Sequence, residues 1–170
     1  TWNAQNPIGS GNETDDGLTT YGREAIRALE EHDIVVDVSH LNGHGFRDLL
    51  DIARRPFIAT HSNARAVHDH PRNLTDYQIE AIIDRGGLIG LTFCTIFISG
   101  SPALSLGGEK TLAIGSDFDG ADVPSWLSSV SDIPAFRDRV RSEFGAEIAN
   151  DIFVHNAYRF FGDFDLRRHT

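Results

Sequence analysis

Residues 34–40 read Ile-Val-Val-Asp-Val-Ser-His, and residues 56–61 read Pro-Phe-Ile-Ala-Thr-His. Each is a short apolar run that ends on a histidine. Ile34 to Val38 and Phe57 to Thr60 are rich in β-branched residues and bounded by polar or turn residues. That pattern predicts two buried strands. Between them, Gly45 to Arg54 places Phe46, Leu49, Leu50 and Ala53 on one helical face. Strand, helix, strand is a βαβ unit, and its two strands run parallel. A histidine just past the carboxyl end of such a strand stands at the rim where α/β barrels and open α/β sheets keep their chemistry.

The pattern continues on both sides. Upstream, Leu18 to Glu31 predicts a helix with Ala25, Ile26 and Leu29 in its stripe and Thr19 or Thr20 as its N-cap. Thr1 to Asp16, rich in Asn, Gly, Thr and Asp, reads as an irregular loop. Downstream, Thr75 and Gln78 form a capping box for a helix carrying Ile79, Ile82 and Ile83, which Gly86-Gly87 terminates. Leu88 to Phe93 is a third strand. Thr111 to Ser116 is a fourth and closes on Asp117. Pro134 to Phe161 carries two further helical patterns. The connection from Cys94 to Lys110 is barely long enough for a crossover helix with its loops, and a disordered or missing piece is expected near 99–108. Four strands do not close a barrel, which needs about eight. The chain therefore reads as half of a (β/α)8 barrel or as a small open α/β sheet.

Composition narrows the class. The chain has 170 residues, 40% of them hydrophobic, enough for a single domain, 1–170, with a real core. A net charge of −10 argues against nucleic-acid and anionic-membrane partners. No apolar stretch is long enough to span a membrane. The one cysteine, Cys94, permits no intrachain disulfide and follows the apolar run LIGLTF, so a buried, inert thiol is expected. No secretory leader pattern is visible. Methionine is absent throughout, which suggests a processed or partial chain. The lone cysteine favours a cytoplasmic setting.

Four residues carry candidate chemistry. His40 and His61 are either two ligands of one metal or two strand-end histidines with local hydrogen bonds. Neutral imidazole is a standard zinc ligand, and catalytic zinc takes three protein ligands and leaves a position for water. Asp117, in GSDFDG, follows a buried strand at the same rim, where a carboxylate can move a proton between metal-bound water and a leaving nitrogen. Its alternative is a turn role, and Asp119-Gly120 beside it is a common turn pair. Arg72, in HPRN, could hold a substrate carboxylate through its planar fork or be a solvated loop cation. His68 and His70 flank Asp69 in the same loop and read as surface histidines or further ligands. There is no nucleophile-elbow motif.

The blocks VDVSH, ATHSNARAVHDHPRNLTD, GGLIGLTF and IGSDFDG, in that order, resemble the membrane (renal) dipeptidase family, peptidase family M19. TWNAQNPIG, DGLTTYGREAIR and Asn156 in FVHNAYRFF are similar to it too. The resemblance implies a (β/α)8 TIM barrel of the metal-dependent hydrolase type, of which this chain carries roughly the second half. It implies a zinc-dependent dipeptidase with two bridged zinc ions acting on small dipeptides. A half-barrel leaves strand edges open, which makes a homodimer a candidate assembly. His40 and His61 would be metal ligands, Asp117 the acid/base residue, and Arg72 the clamp on the substrate's terminal carboxylate. The family's His-x-Asp pair and bridging glutamate belong before Thr1. Rival expectations are a related amidohydrolase acting on another amide or a lactone, and a catalytically inactive fragment.

Overall fold

A computed structural model describes residues 2–3, 6–97 and 107–166. Helix α1 (Thr20–Glu31) starts at Thr19, whose side chain accepts from Gly22 N–H. Helix α2 (Gly43–Ile52) starts two residues earlier than its apolar stripe suggests, because the Asn42 side chain caps the Gly45 N–H. It also ends earlier, at Ile52. There the Arg85 guanidinium donates to the carbonyls of Leu50 (2.9 Å) and Ala53 (2.5 Å). The buried Glu30 carboxylate takes the N–H groups of Arg54 and Arg55, each at 3.0 Å. Those partners come from distant elements, so no local pattern could reveal the stop.

Three strands form a parallel sheet in sequence order: β1 (Ile58–Ala59), β2 (Leu88–Leu91) and β3 (Leu112–Ile114). Ile58 pairs with Leu88, and Gly90 with Ala113. The expected first strand is reduced to one parallel bridge, Asp37 to Ile58. Val38 N–H donates to Ile58 O (2.7 Å) and Ile58 N–H to Val36 O (3.0 Å). Val36 and Val38 are buried, but Ile34 is half exposed. The run is thus one-sided rather than buried throughout. The regular strands are shorter than predicted, though hydrogen bonds from Ser62 N–H to Gly90 O and from Phe93 N–H to Ser116 O carry the pairing to the rim.

Helix α3 (Asp76–Asp84) crosses from β1 to β2 and carries the Thr75–Gln78 capping box. It stops where Gly86 takes φ +65, which glycine adopts without steric cost. The core joins Ile26, Phe46, Leu49, Phe57, Ile79, Ile82, Ile89 and Leu112 between helices and sheet. After β3 come α4 (Ile133–Phe144), α5 (Ala146–Asn150), a π-helical turn (Asp151–His155) and α6 (Asn156–Leu166). Gly145, at φ +91, separates α4 from α5. The two expected helical patterns are therefore one helix and a second, π-interrupted one. Asn156, almost fully buried, donates to the carbonyls of Glu109 (2.6 Å) and Leu112 (2.7 Å), which ties α6 to the start of β3. Most of the stretch 99–108, where a gap was expected, lies outside the described residues. Among the described residues, no helix is long and apolar enough to cross a membrane.

Candidate active site

His40 and Asp117 each follow a strand segment, and each backbone turns sharply there: φ is +74 at His40 and +58 at Asp117. Non-glycine residues rarely adopt this region, and when they do so at a functional rim the surrounding structure holds them there. For His40, that turn swings the ring toward the end of β1, where His61 stands. The two Nε2 atoms are 3.0 Å apart, with ring centroids separated by 5.0 Å. Zinc–imidazole bonds of about 2.1 Å in tetrahedral geometry place two nitrogens roughly 3.4 Å apart. The rings need to part by only a few tenths of an ångström to share an ion, so as a pair they fit one. Among the described residues no cluster of three or more His, Cys, Asp or Glu side chains forms a complete metal cage.

Arg72 reaches the pair from the loop after β1. Its Nη1 donates toward His40, 2.5 Å from Nδ1 and 2.9 Å from Nε2. Burial, the Arg72 cation and His61 push the His40 pKa down to about 4. At neutral pH the ring is therefore uncharged, the form that binds metals. Burial also lowers the Arg72 pKa, against the opposing pull of Asp117. His40, Arg72, Asp117 and Cys94 share a cavity of about 330 Å³. His40 and Arg72 also line a second, more polar cavity of about 350 Å³, which reaches Ser62, Arg65 and His44. Burial raises the Cys94 pKa, as expected of a buried, inert thiol.

The loop residues sort themselves. His68 and Asp69 are exposed. The His70 ring accepts the Arg72 N–H at 3.2 Å and its carbonyl takes the Arg65 Nε–H, so His70 shapes the Arg72 loop. The His68 carbonyl accepts from Asn73 Nδ2, a second link across the same loop. Asp119 sits exposed in a left-handed turn position beside Gly120.

The chain matches the family described as membrane dipeptidase (peptidase family M19) over residues 1–169. The chain belongs to the membrane dipeptidase family. It is 36% identical over 166 residues to an uncharacterized protein in the pqqA 5' region of Klebsiella pneumoniae, covering 83% of this chain and 61% of that protein. Among solved structures it is similar to a metallo peptidase from Rhodobacter sphaeroides, liganded with a phosphinate mimic of the dipeptide L-Ala-D-Ala. The TM-score is 0.84 at 32% identity, covering 93% of this chain and 52% of that one. It is also similar to the dipeptidase AC, a metallo peptidase of family M19, with a TM-score of 0.87 at 30% identity, covering 93% and 53%. The chain thus spans about half to three-fifths of these relatives. Its α/β architecture, with parallel strands in sequence order, is that of part of their TIM-type barrel.

Within this family member, the structure draws His40, His61, Arg72 and Asp117 to one rim, three of them around one cavity. Sequence reasoning passed over the residues behind them. Asp37 and Thr60 read in the sequence only as parts of apolar runs, yet Thr60 Oγ1 hydrogen-bonds both the Asp37 carboxylate and the His61 ring. The available signal was an acid, Asp37, flanked by Val36 and Val38 in a strand-like run. Gly90 and Gly115 were likewise read only as strand residues. A Cβ at either would lie within about 2 Å of the Thr60 carbonyl oxygen, so both glycines let the end of β1 close against the sheet.

Proposed function

We propose that the chain supplies the proton-transfer residue, the carboxylate clamp and part of the metal-binding set of a zinc-dependent dipeptidase. The observation that carries this reading is the opposed pair of imidazole Nε2 atoms at 3.0 Å, with Arg72 against one of them. His40 and His61 would hold one zinc through those nitrogens. When bound, zinc lowers the pKa of a coordinated water and polarises a carbonyl. Asp117 faces the cavity from the end of β3, where it would take a proton from the attacking water and return it to the leaving amine. The guanidinium of Arg72 would leave His40 for the terminal carboxylate of the dipeptide, which its fork matches with two parallel N–H···O bonds. The lone buried cysteine supports a reducing, cytoplasmic setting.

The test is hydrolysis of simple dipeptides in a polypeptide that carries this chain with its further metal donors. Activity should require zinc and disappear with chelator, and chelator-insensitive cleavage would sink the mechanism. Arg72→Met should raise KM at least tenfold for substrates with a free carboxylate and leave C-terminally amidated ones nearly unchanged. Equal losses on both would point instead to an amidohydrolase that does not read the carboxylate.

A further inference from the structure

We infer that Asp37 and Thr60 are positioning residues, holding the His61 imidazole in the one tautomer that leaves its Nε2 lone pair facing His40. The inference rests on the reading of His61 as a metal ligand. It follows from counting protons along one chain of contacts. Thr60 Oγ1 lies 2.5 Å from Asp37 Oδ2 and 2.8 Å from His61 Nδ1. An ionised carboxylate only accepts, so the single hydroxyl proton of Thr60 goes to Asp37. Thr60 Oγ1 must then accept from His61, which puts the ring proton on Nδ1 and leaves Nε2 bare. A metal-bound imidazole commonly needs this partner, because the bond to its other nitrogen fixes both tautomer and ring plane.

The relay is itself held in place. Asp37 Oδ1 accepts the backbone N–H of Ser39 (2.9 Å) and of Thr60 (3.0 Å). Ser39 Oγ accepts His61 N–H at 3.1 Å. Trp2 Nε1 donates to the Asp37 carbonyl at 2.7 Å. One carboxylate thereby joins the ends of two neighbouring strand segments and aims the hydroxyl between them. At the far end, with His61 Nε2 bare, His40 Nε2 carries a proton toward it and His40 Nδ1 accepts from Arg72 Nη1, so the 2.9 Å approach of the same Nη1 to His40 Nε2 is a contact without a hydrogen bond.

The experiment compares the native polypeptide that carries this chain with its further metal donors against its Thr60→Val, Thr60→Ser and Asp37→Asn variants. Imidazole 15N correlation spectra of the metal-free protein at mildly alkaline pH report the tautomer, and competition with a chromophoric chelator reports zinc affinity. Native and Thr60→Ser proteins should show His61 protonated at Nδ1. Thr60→Val and Asp37→Asn should shift it toward Nε2–H and weaken zinc binding about tenfold or more, with circular dichroism unchanged. Thr60→Val that keeps both the tautomer and the affinity would overturn the inference. So would a Thr60→Ser protein behaving like Thr60→Val, or a lost tautomer with intact zinc affinity. A native chain that binds no zinc but shows the predicted tautomers would uphold the relay and overturn only the metal reading.

Discussion

His40 concentrates three pressures on one ring. It is pressed by Arg72, faces a second imidazole, and stands on a left-handed backbone position. Its pKa falls from 6.5 to about 4 chiefly through burial, then through the nearby Arg72 cation. The sign follows from linkage: the unfolded chain takes up the proton more readily than the folded one. In metal-free protein this residue's contribution to stability is complete above about pH 6.5 and is lost as pH falls toward about 4. Denaturant midpoints measured across that window should drop for the native chain. His40→Gln should flatten that part of the curve, and an unchanged slope would refute the assignment. None of this was visible in the sequence, where His40 was one strand-end histidine among others. Its partners, Arg72 and His61, are brought to it only by the fold.

The strand ends show how little regular hydrogen bonding the rim needs. β1 is two residues long, yet Gly90 and Gly115 bring the neighbouring backbones within contact of the Thr60 carbonyl. A Cβ on Gly115 would lie 1.8 Å from that oxygen. Gly115→Ala should therefore push the end of β1 outward and destabilise the chain by about 1–3 kcal/mol, the usual cost of overpacking a tight site. Equilibrium denaturation checks the loss, and the His61 ring resonances should move with it. Helices were the more readable elements. The Thr75–Gln78 box and the Gly86 stop are local chemistry, and α3 forms where they place it. Helix α2 misses its predicted end because, from a distance, Arg85 satisfies its terminal carbonyls and Glu30 accepts the N–H groups of the two residues after its C-cap.

At the scale of the whole molecule, the described residues form a sheet of parallel strands in which no further strand pairs with the outer edge of β3. Among the described residues, β3 pairs only with β2. Trp126 and Val130 are more than half exposed nearby in the chain. Open strand edges recruit further strands. Purified as these 170 residues, the protein should self-associate with rising concentration in sedimentation velocity, and a monomer at every concentration would exclude this. The same preparation should turn over no dipeptide, since the described residues bring together two facing imidazoles and no third His, Cys, Asp or Glu donor, short of the three protein ligands of catalytic zinc. Measurable turnover by the isolated chain would show that further donors are recruited within it.

Periodicity, caps and turn residues determined the α/β class, the helices and the parallel order, because those depend on neighbours within a few positions in sequence. The family blocks likewise marked His40, His61, Arg72 and Asp117 before any coordinates. Only the tertiary structure decided that the two imidazoles oppose each other at 3.0 Å, that Arg72 bears on one of them, and that Asp37 and Thr60 stand behind the other. Those contacts join separate loops and strands, and their distances depend on how the whole sheet packs.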